Sequence, residues 1–486
     1  MTLHRDLLIG GKDQPAASGR TAEDVNPYSS EVYATVAAAG VEDVTRAVDA
    51  ADAAFADWAA VAPVQRRKIF LDAADLLEAR TEDAVRTMAG EVGGTRPWAM
   101  FNVGLAANML REAAAAVTAP RGEVLSAQTE GALGLAVREP VGVVAAFSPW
   151  NAPVILGVRA VAAPLAAGNT VVLKPSEDAP LSCGLFVADV LRDAGLPDGV
   201  LNVITNAPED AATVAEALIA DERVRSVNFT GSTGVGRIIG VHAAQHLKPA
   251  LLELGGKNSV IVLADADVDY AVDAAVFSVF MNAGQICMSA DRLLVHESLA
   301  EEFTAKFVAK TESLAAGDPA IDHTVVGPLV TSDAARRVAA LVEDAVAKGA
   351  TVLTGGTAPE GAVHPATVLT DLPQSAELYH GEAFGPVAVI STFATDDEAV
   401  DFANATEHGL TCGILTENGT HGLSVARRIR TGIVHVNDQS VADEPNAPFG
   451  GFKASGYGRF GGRWGIEAFS NTRWVTLATQ QAHFPF

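Results

Sequence analysis

The sequence predicts an α/β protein with two doubly wound parallel-sheet domains and a small β arm. The chain has 486 residues, too many for one hydrophobic core. From about residue 143, short β-branched runs alternate with helical runs, and this alternation is typical of parallel sheets covered on both faces. Segments 119–141 and 468–483 fit neither pattern, and we interpret them as an arm that pairs with another subunit.

The order of the elements follows from the spacing of apolar residues. Amphipathic helices are predicted first, at 41–60, 63–89 and 97–117. The first alternation has strands at 143–147, 170–174, 200–204 and 224–229, and helices at 153–166, 180–194, 209–220 and 231–246. The second has strands at 258–263, 291–296, 386–391 and 432–436, and helices at 267–282, 299–315, 332–348, 396–405 and 420–429.

Charge and cysteine content exclude several classes of protein. The net charge of −25 argues against nucleic acid and anionic membranes as partners. Cys183, Cys287 and Cys412 are odd in number and far apart, which argues against a disulfide framework or a metal site. The chain start lacks a signal-peptide core, and no uncharged apolar run reaches membrane-spanning length. We therefore expect a cytoplasmic protein.

Cys287 is the candidate nucleophile. A lone cysteine is usually a small buried hydrophobe, and Cys183 and Cys412 fit that description because both lie in apolar stretches. Cys287 differs, since it follows Gly284 and Gln285 on a loop between a predicted helix and a predicted strand. A nucleophilic cysteine needs such access, together with activation and a site for the developing oxyanion.

Two polar residues at predicted strand ends have the chemistry to serve a nucleophile. Glu253 ends an apolar run, so burial would raise its pKa toward the range of a general base. The amide of Asn151 is a neutral donor suited to an oxyanion. The alternatives are a strand-end glutamate that faces water and an ordinary asparagine turn.

Two further strand ends have features of a dinucleotide site. The turn from Gly231 to Gly236 opens a helix whose N-terminus can face a pyrophosphate, although its spacing departs from GxGxxG. Lys174 and Glu177 can bind the hydroxyls of an adenosine ribose. A carboxylate there would repel a 2′-phosphate, which favours NAD over NADP. The alternative for this pair is a solvated turn.

In order and spacing, seven segments resemble motifs of the aldehyde dehydrogenase superfamily, over essentially the whole chain. They are Pro149-Trp150-Asn151, Lys174-Pro175-Ser176-Glu177, Phe229-Thr230-Gly231-Ser232, Glu253-Leu254-Gly255-Gly256-Lys257, Gly284-Gln285-Ile286-Cys287, Glu382-Ala383-Phe384-Gly385-Pro386 and Pro448-Phe449-Gly450-Gly451.

The resemblance implies roles for individual residues. Cys287 is the expected nucleophile, Glu253 the base that activates water to hydrolyse a thioester, and Asn151 with the backbone N–H of Cys287 the oxyanion hole. Hydride transfer to NAD, with NADP as a possible substitute, precedes that hydrolysis. The expected cofactor contacts are Trp150, Lys174, Ser176, Glu177, Phe229, Gly231, Ser232, Gly236, Leu254, Glu382 and Phe384.

The resemblance also implies a domain organisation. An NAD-binding domain is expected from residues 1–118 and 142–253, and a catalytic domain from residues 254–450. Residues 119–141 and 468–486 would form an oligomerisation arm of a homodimer or homotetramer.

One departure from the family concerns the substrate. Phe460 stands where many members carry glutamate, so a proton relay through that position is not expected. The segments around Phe460, Asn151 and Cys287 resemble the branch that oxidises benzaldehyde, salicylaldehyde and vanillin. We expect a small aromatic aldehyde and a substrate pocket that includes Arg159. The apolar part of the pocket would be formed by Ala152, Leu156, Ile286, Met288 and Phe449.

Arg159 lies two helical turns after Asn151, and we expect it to meet a ring hydroxyl or methoxy group. Trp98, Phe101 and Met109 would extend the pocket; the alternative is that such residues are simply core.

Three other functions remain open at this point. An aliphatic or semialdehyde dehydrogenase could use Arg159 to bind a distal carboxylate. A thioester hydrolase could use Cys287 and Glu253 without a cofactor. A non-catalytic binding protein could share the fold.

Overall fold

The computed structural model describes residues 3–128, 131–481 and 483–486. Within this part of the chain the backbone forms an eight-stranded sheet, a seven-stranded sheet and two three-stranded sheets. The two large sheets carry helices on both faces. The predicted α/β class, with doubly wound sheets and a small β arm, is confirmed.

The eight-stranded sheet has a parallel centre with antiparallel edges. Its spatial order is Gly456–Tyr457, Ala250–Glu253, Val224–Thr230, Val143–Ser148, Thr170–Pro175, Leu201–Val203, Leu7–Ile9 and Lys12–Gln14. The strands that follow Val143–Ser148 along the chain, Thr170–Pro175 and Leu201–Val203, lie on one side of it. The next strand, Val224–Thr230, lies on its other side. Ligands of open α/β sheets bind at such a switch point, beyond the carboxyl ends of the strands.

Alternating side chains of the strand Val143–Ser148 bury both faces of this sheet. Val144 and Ala146 join one apolar core, whereas Val143 and Phe147 join the core on the opposite face. The helices on the two sides are Val41–Ala60, Pro63–Ala79, Thr81–Val92, Arg96–Ala116, Pro153–Ala167, Phe186–Asp193, Ala211–Ala220 and Thr233–Gln245.

The seven-stranded sheet is parallel except for the edge strand Thr351–Thr354. Its order is Thr351–Thr354, Thr367–Thr370, Val387–Phe393, Ala290–His296, Asn258–Val262, Cys412–Leu415 and His435–Val436. The later helices are Val268–Phe280, Ala300–Glu312, Ser332–Ala347, Glu377–His380, Asp396–Asn404, Gly419–Ala426 and Gly462–Ala468.

The two segments that were predicted to form an arm, 119–141 and 468–486, pair with each other through their strands. Ala132–Pro140 lies between Ser470–Ala478 and Gly122–Leu125 in an antiparallel sheet. Its outer surface is apolar in places, with Val124 73% and Trp474 74% exposed. The other three-stranded sheet comprises Leu3–Arg5, Val32–Ala37 and Thr21–Val25.

Several local predictions were wrong. The helix predicted over 180–194 begins as a π-helical turn, Pro180–Leu185, before the α-helix Phe186–Asp193. The strands Thr351–Thr354, Thr367–Thr370 and Cys412–Leu415 were not predicted, because four residues are too few to show a periodic pattern.

No helix in the described residues is long and apolar enough to cross a membrane. The same residues contain no group of three or more His, Cys, Asp or Glu side chains arranged to hold a metal ion.

Candidate active site

The sheet edge at the switch point brings the predicted polar residues together. The strands Val143–Ser148, Val224–Thr230 and Ala250–Glu253 are neighbours and parallel, so their carboxyl ends meet at one edge. A chamber of about 300 Å³ opens there. Its lining residues are Pro149, Trp150, Asn151, Leu156, Thr230, Gly231, Ser232, Glu253, Gly255, Cys287, Arg337, Glu382 and Phe384.

Cys287 is held by a tight, strained loop. Asn282 and Ala283 have positive φ angles of 50° and 53°, which reverse the chain between the helix Val268–Phe280 and the strand Ala290–His296. The Asn258 side-chain amide donates a 2.8 Å hydrogen bond to the Cys287 carbonyl. A Cβ atom at Gly256 would lie 2.7 Å from that carbonyl, so only glycine permits this approach.

Glu253 and Cys287 perturb each other's pKa. Glu253 is 1% exposed, and burial raises its pKa to about 7, against the opposing charge of Arg159. Burial and then the charge of Glu253 raise the pKa of Cys287 well above its ordinary value. No N–H or O–H of the described residues donates to either Glu253 oxygen. A carboxyl group in this setting is suited to gain and lose a proton near neutral pH.

Asn151 is fixed through both its backbone and its side chain. Its carbonyl accepts hydrogen bonds from the indole of Trp98 at 3.1 Å and from the Asn282 amide at 2.8 Å. Its side-chain amide donates at 3.0 Å to the carbonyl of Gln285, two residues before Cys287. An amide nitrogen carries two hydrogens, so one remains to serve an oxyanion in the chamber.

A longer cleft of about 540 Å³ adjoins the chamber and shares five lining residues with it, from Pro149 to Ser232. Lys174 bonds to Glu177, and Asn206 donates to the same carboxylate at 2.9 Å. Burial would raise the pKa of Glu177, but the Lys174 charge and these hydrogen bonds hold it below its usual value. Among the predicted cofactor contacts, Trp150, Lys174, Ser176, Glu177, Phe229, Gly231 and Ser232 line the cleft.

Gly236 and Leu254, which were also predicted as cofactor contacts, are not among the residues that line the cleft. Ser232 caps the helix Thr233–Gln245 by accepting a hydrogen bond from the backbone N–H of Val235. A Cβ atom at Gly236 would lie 2.3 Å from the Leu254 side chain, so this glycine lets the helix approach the strand end. The helix N-terminus thereby faces the cleft, as a bound pyrophosphate requires.

An apolar slot at the far end of the cleft was not predicted. It is formed where the helices Ala211–Ala220 and Thr233–Gln245 flank the cleft. Val235 is 45% and Ile238 57% exposed, which is a detectable signal because large apolar side chains in a helix usually face the core. The slot is lined by Ala212, Ala215, Ile219, Val235, Ile238 and Ile239. It suits a flat heterocycle such as adenine.

Glu382 and Phe384 reach the chamber from the second large sheet. Burial and the charge of Asp291 raise the pKa of Glu382 to about 8. Phe384 has a φ angle of 45° and meets the Trp150 ring edge-on at 5.6 Å between centroids. Arg337 donates to the Ala383 carbonyl at 2.7 Å, which helps to hold this loop.

The predicted substrate-pocket residues are divided among different places. Leu156 lines the chamber, whereas Arg159 and Phe449 line a separate cavity of about 50 Å³, hereafter the outer cavity. Ile286 lines a small cavity beside Glu382. Ala152 and Met288 lie in the buried core.

Of the three residues expected to extend the pocket, Met109 lines the outer cavity, and Trp98 stacks on Phe101 at 5.4 Å. Asp443 was not predicted, and it forms a buried ion pair with Arg159.

Comparison with known proteins identifies the lineage. Residues 14–475 match the model of the aldehyde dehydrogenase family. The chain is 51% identical to a vanillin dehydrogenase of Pseudomonas fluorescens, covering 99% of both chains. It is 40% identical to a benzaldehyde dehydrogenase [NAD(+)] of Pseudomonas putida, covering 97% of this chain and 96% of the relative.

Comparison with solved structures identifies the same family. The crystal structure of a salicylaldehyde dehydrogenase from Pseudomonas putida G7, complexed with salicylaldehyde, superposes over 100% of both chains with a TM-score of 0.97 and 42% identity. Together with the chamber and its adjoining cleft, these matches show that the chain belongs to the aldehyde dehydrogenase family and is an aldehyde-oxidising enzyme that uses a nicotinamide cofactor.

Proposed function

We propose that the enzyme oxidises small aromatic aldehydes to carboxylates with NAD. The observation that carries this proposal is one chamber that contains Cys287, Glu253 and Asn151 and that adjoins a cleft suited to a dinucleotide. The aromatic preference is supported by relatives that are named for vanillin, benzaldehyde and salicylaldehyde.

The first steps use groups of this chain. The pKa of the Cys287 thiol is raised, so its deprotonation needs a base. Glu253 is the carboxylate whose charge perturbs this thiol, and it is the base that we assign. Glu253 takes the thiol proton, and the sulfur attacks the aldehyde carbon. The side-chain amide of Asn151 and the backbone N–H of Cys287 stabilise the oxyanion of the resulting thiohemiacetal.

The later steps need a change of role for Glu253. A nicotinamide cofactor held by Glu177 and Glu382 would supply the hydride acceptor for the thiohemiacetal carbon, which would leave an acyl group on Cys287. Glu253 first releases the thiol proton to solvent and then takes a proton from water, which attacks the thioester. The carboxylic acid leaves, and Glu253 returns that proton to the sulfur of Cys287, which restores the thiol. A base with a pKa near 7 performs both proton transfers at neutral pH.

The adenosine end of the cleft favours NAD. The Glu177 carboxylate is ionised, since its pKa lies below its usual value, and it faces the cleft. An ionised carboxylate can accept hydrogen bonds from ribose hydroxyls and repels a 2′-phosphate. Glu382 is proposed to bind the nicotinamide ribose, with Phe384 packed beside it.

The aldehyde ring is proposed to pack on Leu156 and Phe449. Ala152, Ile286 and Met288 belong to the same apolar core and would support these two side chains from behind. Arg159 would donate a hydrogen bond to a ring hydroxyl or methoxy oxygen, because the ion pair with Asp443 engages only part of its five N–H donors. The test is Arg159→Ala assayed on benzaldehyde and vanillin. A larger loss with vanillin supports the contact, and an equal loss on both contradicts it.

The domain and subunit organisation is also a proposal. Residues 1–118 and 142–253 would bind NAD, residues 254–450 would carry the nucleophile, and the arm would join subunits in a dimer or tetramer. The exposed apolar side chains of the arm, such as Val124 and Trp474, support an oligomeric interface.

NADH formation over a panel of aldehydes tests the proposed function. Benzaldehyde, salicylaldehyde and vanillin are compared with butanal and succinic semialdehyde, and each assay is repeated with NADP. We expect higher kcat/KM for the aromatic aldehydes and for NAD. Preference for succinic semialdehyde would favour the semialdehyde alternative, and thioester hydrolysis without aldehyde oxidation would favour the hydrolase.

A further inference from the structure

Arg159 has a buried anionic partner. Its guanidinium is paired with Asp443, and the two side chains are only 6% and 3% exposed. The guanidinium carbon lies 4.0 Å from the centroid of the Phe449 ring and 5.8 Å from that of Phe460. Separation of the pair would leave two charges in an apolar setting, which is strongly unfavourable. Arg159 is therefore present at this site as half of a neutral pair.

The pair lies where a substrate would extend beyond the catalytic chamber. Leu156 lines the chamber, and Arg159 follows it by three residues on the same helix face. Arg159 and Asp443 line the outer cavity, yet both charges still act on Glu253. The pair thus lines the outer cavity and lies near enough to the chamber for both charges to act on Glu253.

The charges around the pair are otherwise acidic. The outer cavity is lined by Glu112, Asp443 and Glu444, with Arg159 as the cation among its lining residues. With Arg159 neutralised by Asp443, an aldehyde that carries a distal carboxylate would find like charges and no free cation. An uncharged aldehyde meets no such repulsion, and its ring can pack against Phe449.

We propose that Asp443 determines specificity by neutralising Arg159, so that aldehydes with a distal carboxylate are rejected and uncharged ones are accepted. This inference deepens the proposed function. It rests on that function in one respect, because it requires the aldehyde to reach Cys287 beside this ion pair. Asp443 acts through Arg159 and is a positioning residue. An unpaired arginine at the same place would have the opposite effect and would attract the carboxylate of a semialdehyde.

The wild-type enzyme allows a first test with two aldehydes of similar shape, 4-formylbenzoate and its uncharged methyl ester. We expect kcat/KM for the acid to be lower by about tenfold or more, with the deficit in KM, because the penalty acts on binding. Equal KM values for acid and ester would overturn the proposal.

Asp443→Asn keeps the shape of the side chain and frees the charge of Arg159. The ratio of kcat/KM for 4-formylbenzoate to that for the ester should rise by about tenfold, through a lower KM for the acid. Glu444→Gln is the matched control, because it removes a carboxylate from the same cavity and leaves the ion pair intact. An equal rise in both variants would assign the effect to net charge alone and would contradict the proposal.

A double variant, Arg159→Met with Asp443→Asn, removes the freed cation. The gain with 4-formylbenzoate should disappear, and a gain that persists would contradict the proposal. The double variant buries no unpaired charge, so it should fold even if Asp443→Asn does not. In that case its kcat/KM ratio for acid and ester, compared with that of the wild type, still tests the proposal. Thermal unfolding of each variant identifies that case.

Failure of the proposed function gives a different result. A wild-type enzyme that oxidises butanal but not benzaldehyde would refute the aromatic preference. The role of Asp443 would then be tested by comparing kcat/KM for butanal with kcat/KM for succinic semialdehyde in the same variants. Equal turnover of these two by the wild type would overturn it.

Discussion

The nucleotide cleft adjoins the catalytic chamber, whereas the outer cavity is separate from it, and the two regions are built differently. The cleft is lined by the ends of adjacent parallel strands of one sheet and by the two helices Ala211–Ala220 and Thr233–Gln245. The outer cavity is formed by the helices Arg96–Ala116 and Pro153–Ala167 together with residues 443–449 and 460–466, which are far apart in sequence. Cofactor recognition therefore depends on local motifs, and substrate selection on long-range contacts.

The largest effect is expected in the catalytic chamber between the two regions' functions, at Cys287. Cys287→Ala should lower kcat by about 10⁴-fold or more, because no other group can form the thioester. NAD binding, measured by fluorescence titration, should persist because the cleft is intact. Cys412→Ala is the matched control, since this cysteine is buried in a strand of the second sheet. Full activity of Cys287→Ala would contradict the mechanism.

Replacement of the base should produce the next largest effect. Glu253→Gln should lower kcat by about 10² to 10⁴-fold. A general base acts when deprotonated, so with a pKa of about 7 the wild-type kcat should fall as the pH is lowered through 7. The variant should lose this inflection in a pH–rate profile. An unchanged inflection would assign it to another group.

Glu177→Gln should affect the cleft alone. The KM for NAD should rise about tenfold, because a hydrogen bond to a charged group is lost, and the NADP to NAD ratio of kcat/KM should rise. Preference among aldehydes should not change. Glu216→Gln removes another carboxylate from the cleft wall. An equal rise in the NADP to NAD ratio of kcat/KM in that variant would assign the effect to the net charge of the cleft and not to Glu177.

Packing behind the cleft should give the smallest effect. Gly236→Ala places a methyl group against Leu254 and should destabilise the fold by about 1–3 kcal/mol. Gly234→Ala, in the same helix turn, has no neighbour within 4 Å of the added carbon and should stabilise by up to about 1 kcal/mol. Thermal unfolding compares the two. Similar losses in both variants would show that the contact with Leu254 is not the cause.

The contrast between the two regions also explains what could be predicted from the sequence. Motifs at strand ends led to Glu253, Asn151 and Glu177, because parallel strands bring their carboxyl ends to one edge. The partner of Arg159 lies 284 residues away along the chain, and no local pattern indicates Asp443. The π-helical turn at Pro180–Leu185 was missed for a related reason, because its register depends on packing of the whole element.

The central claim is that Cys287 carries the acyl group and Glu253 releases it. The most direct measurement is a single turnover of Glu253→Gln with benzaldehyde and NAD. The account predicts a burst of about one equivalent of NADH per subunit, formed more slowly than by the wild type because Gln cannot take the thiol proton. Turnover after the burst should be slower still, with a benzoyl group on Cys287 by peptide mass spectrometry. Absence of the burst, or a benzoyl group on another residue, would contradict it.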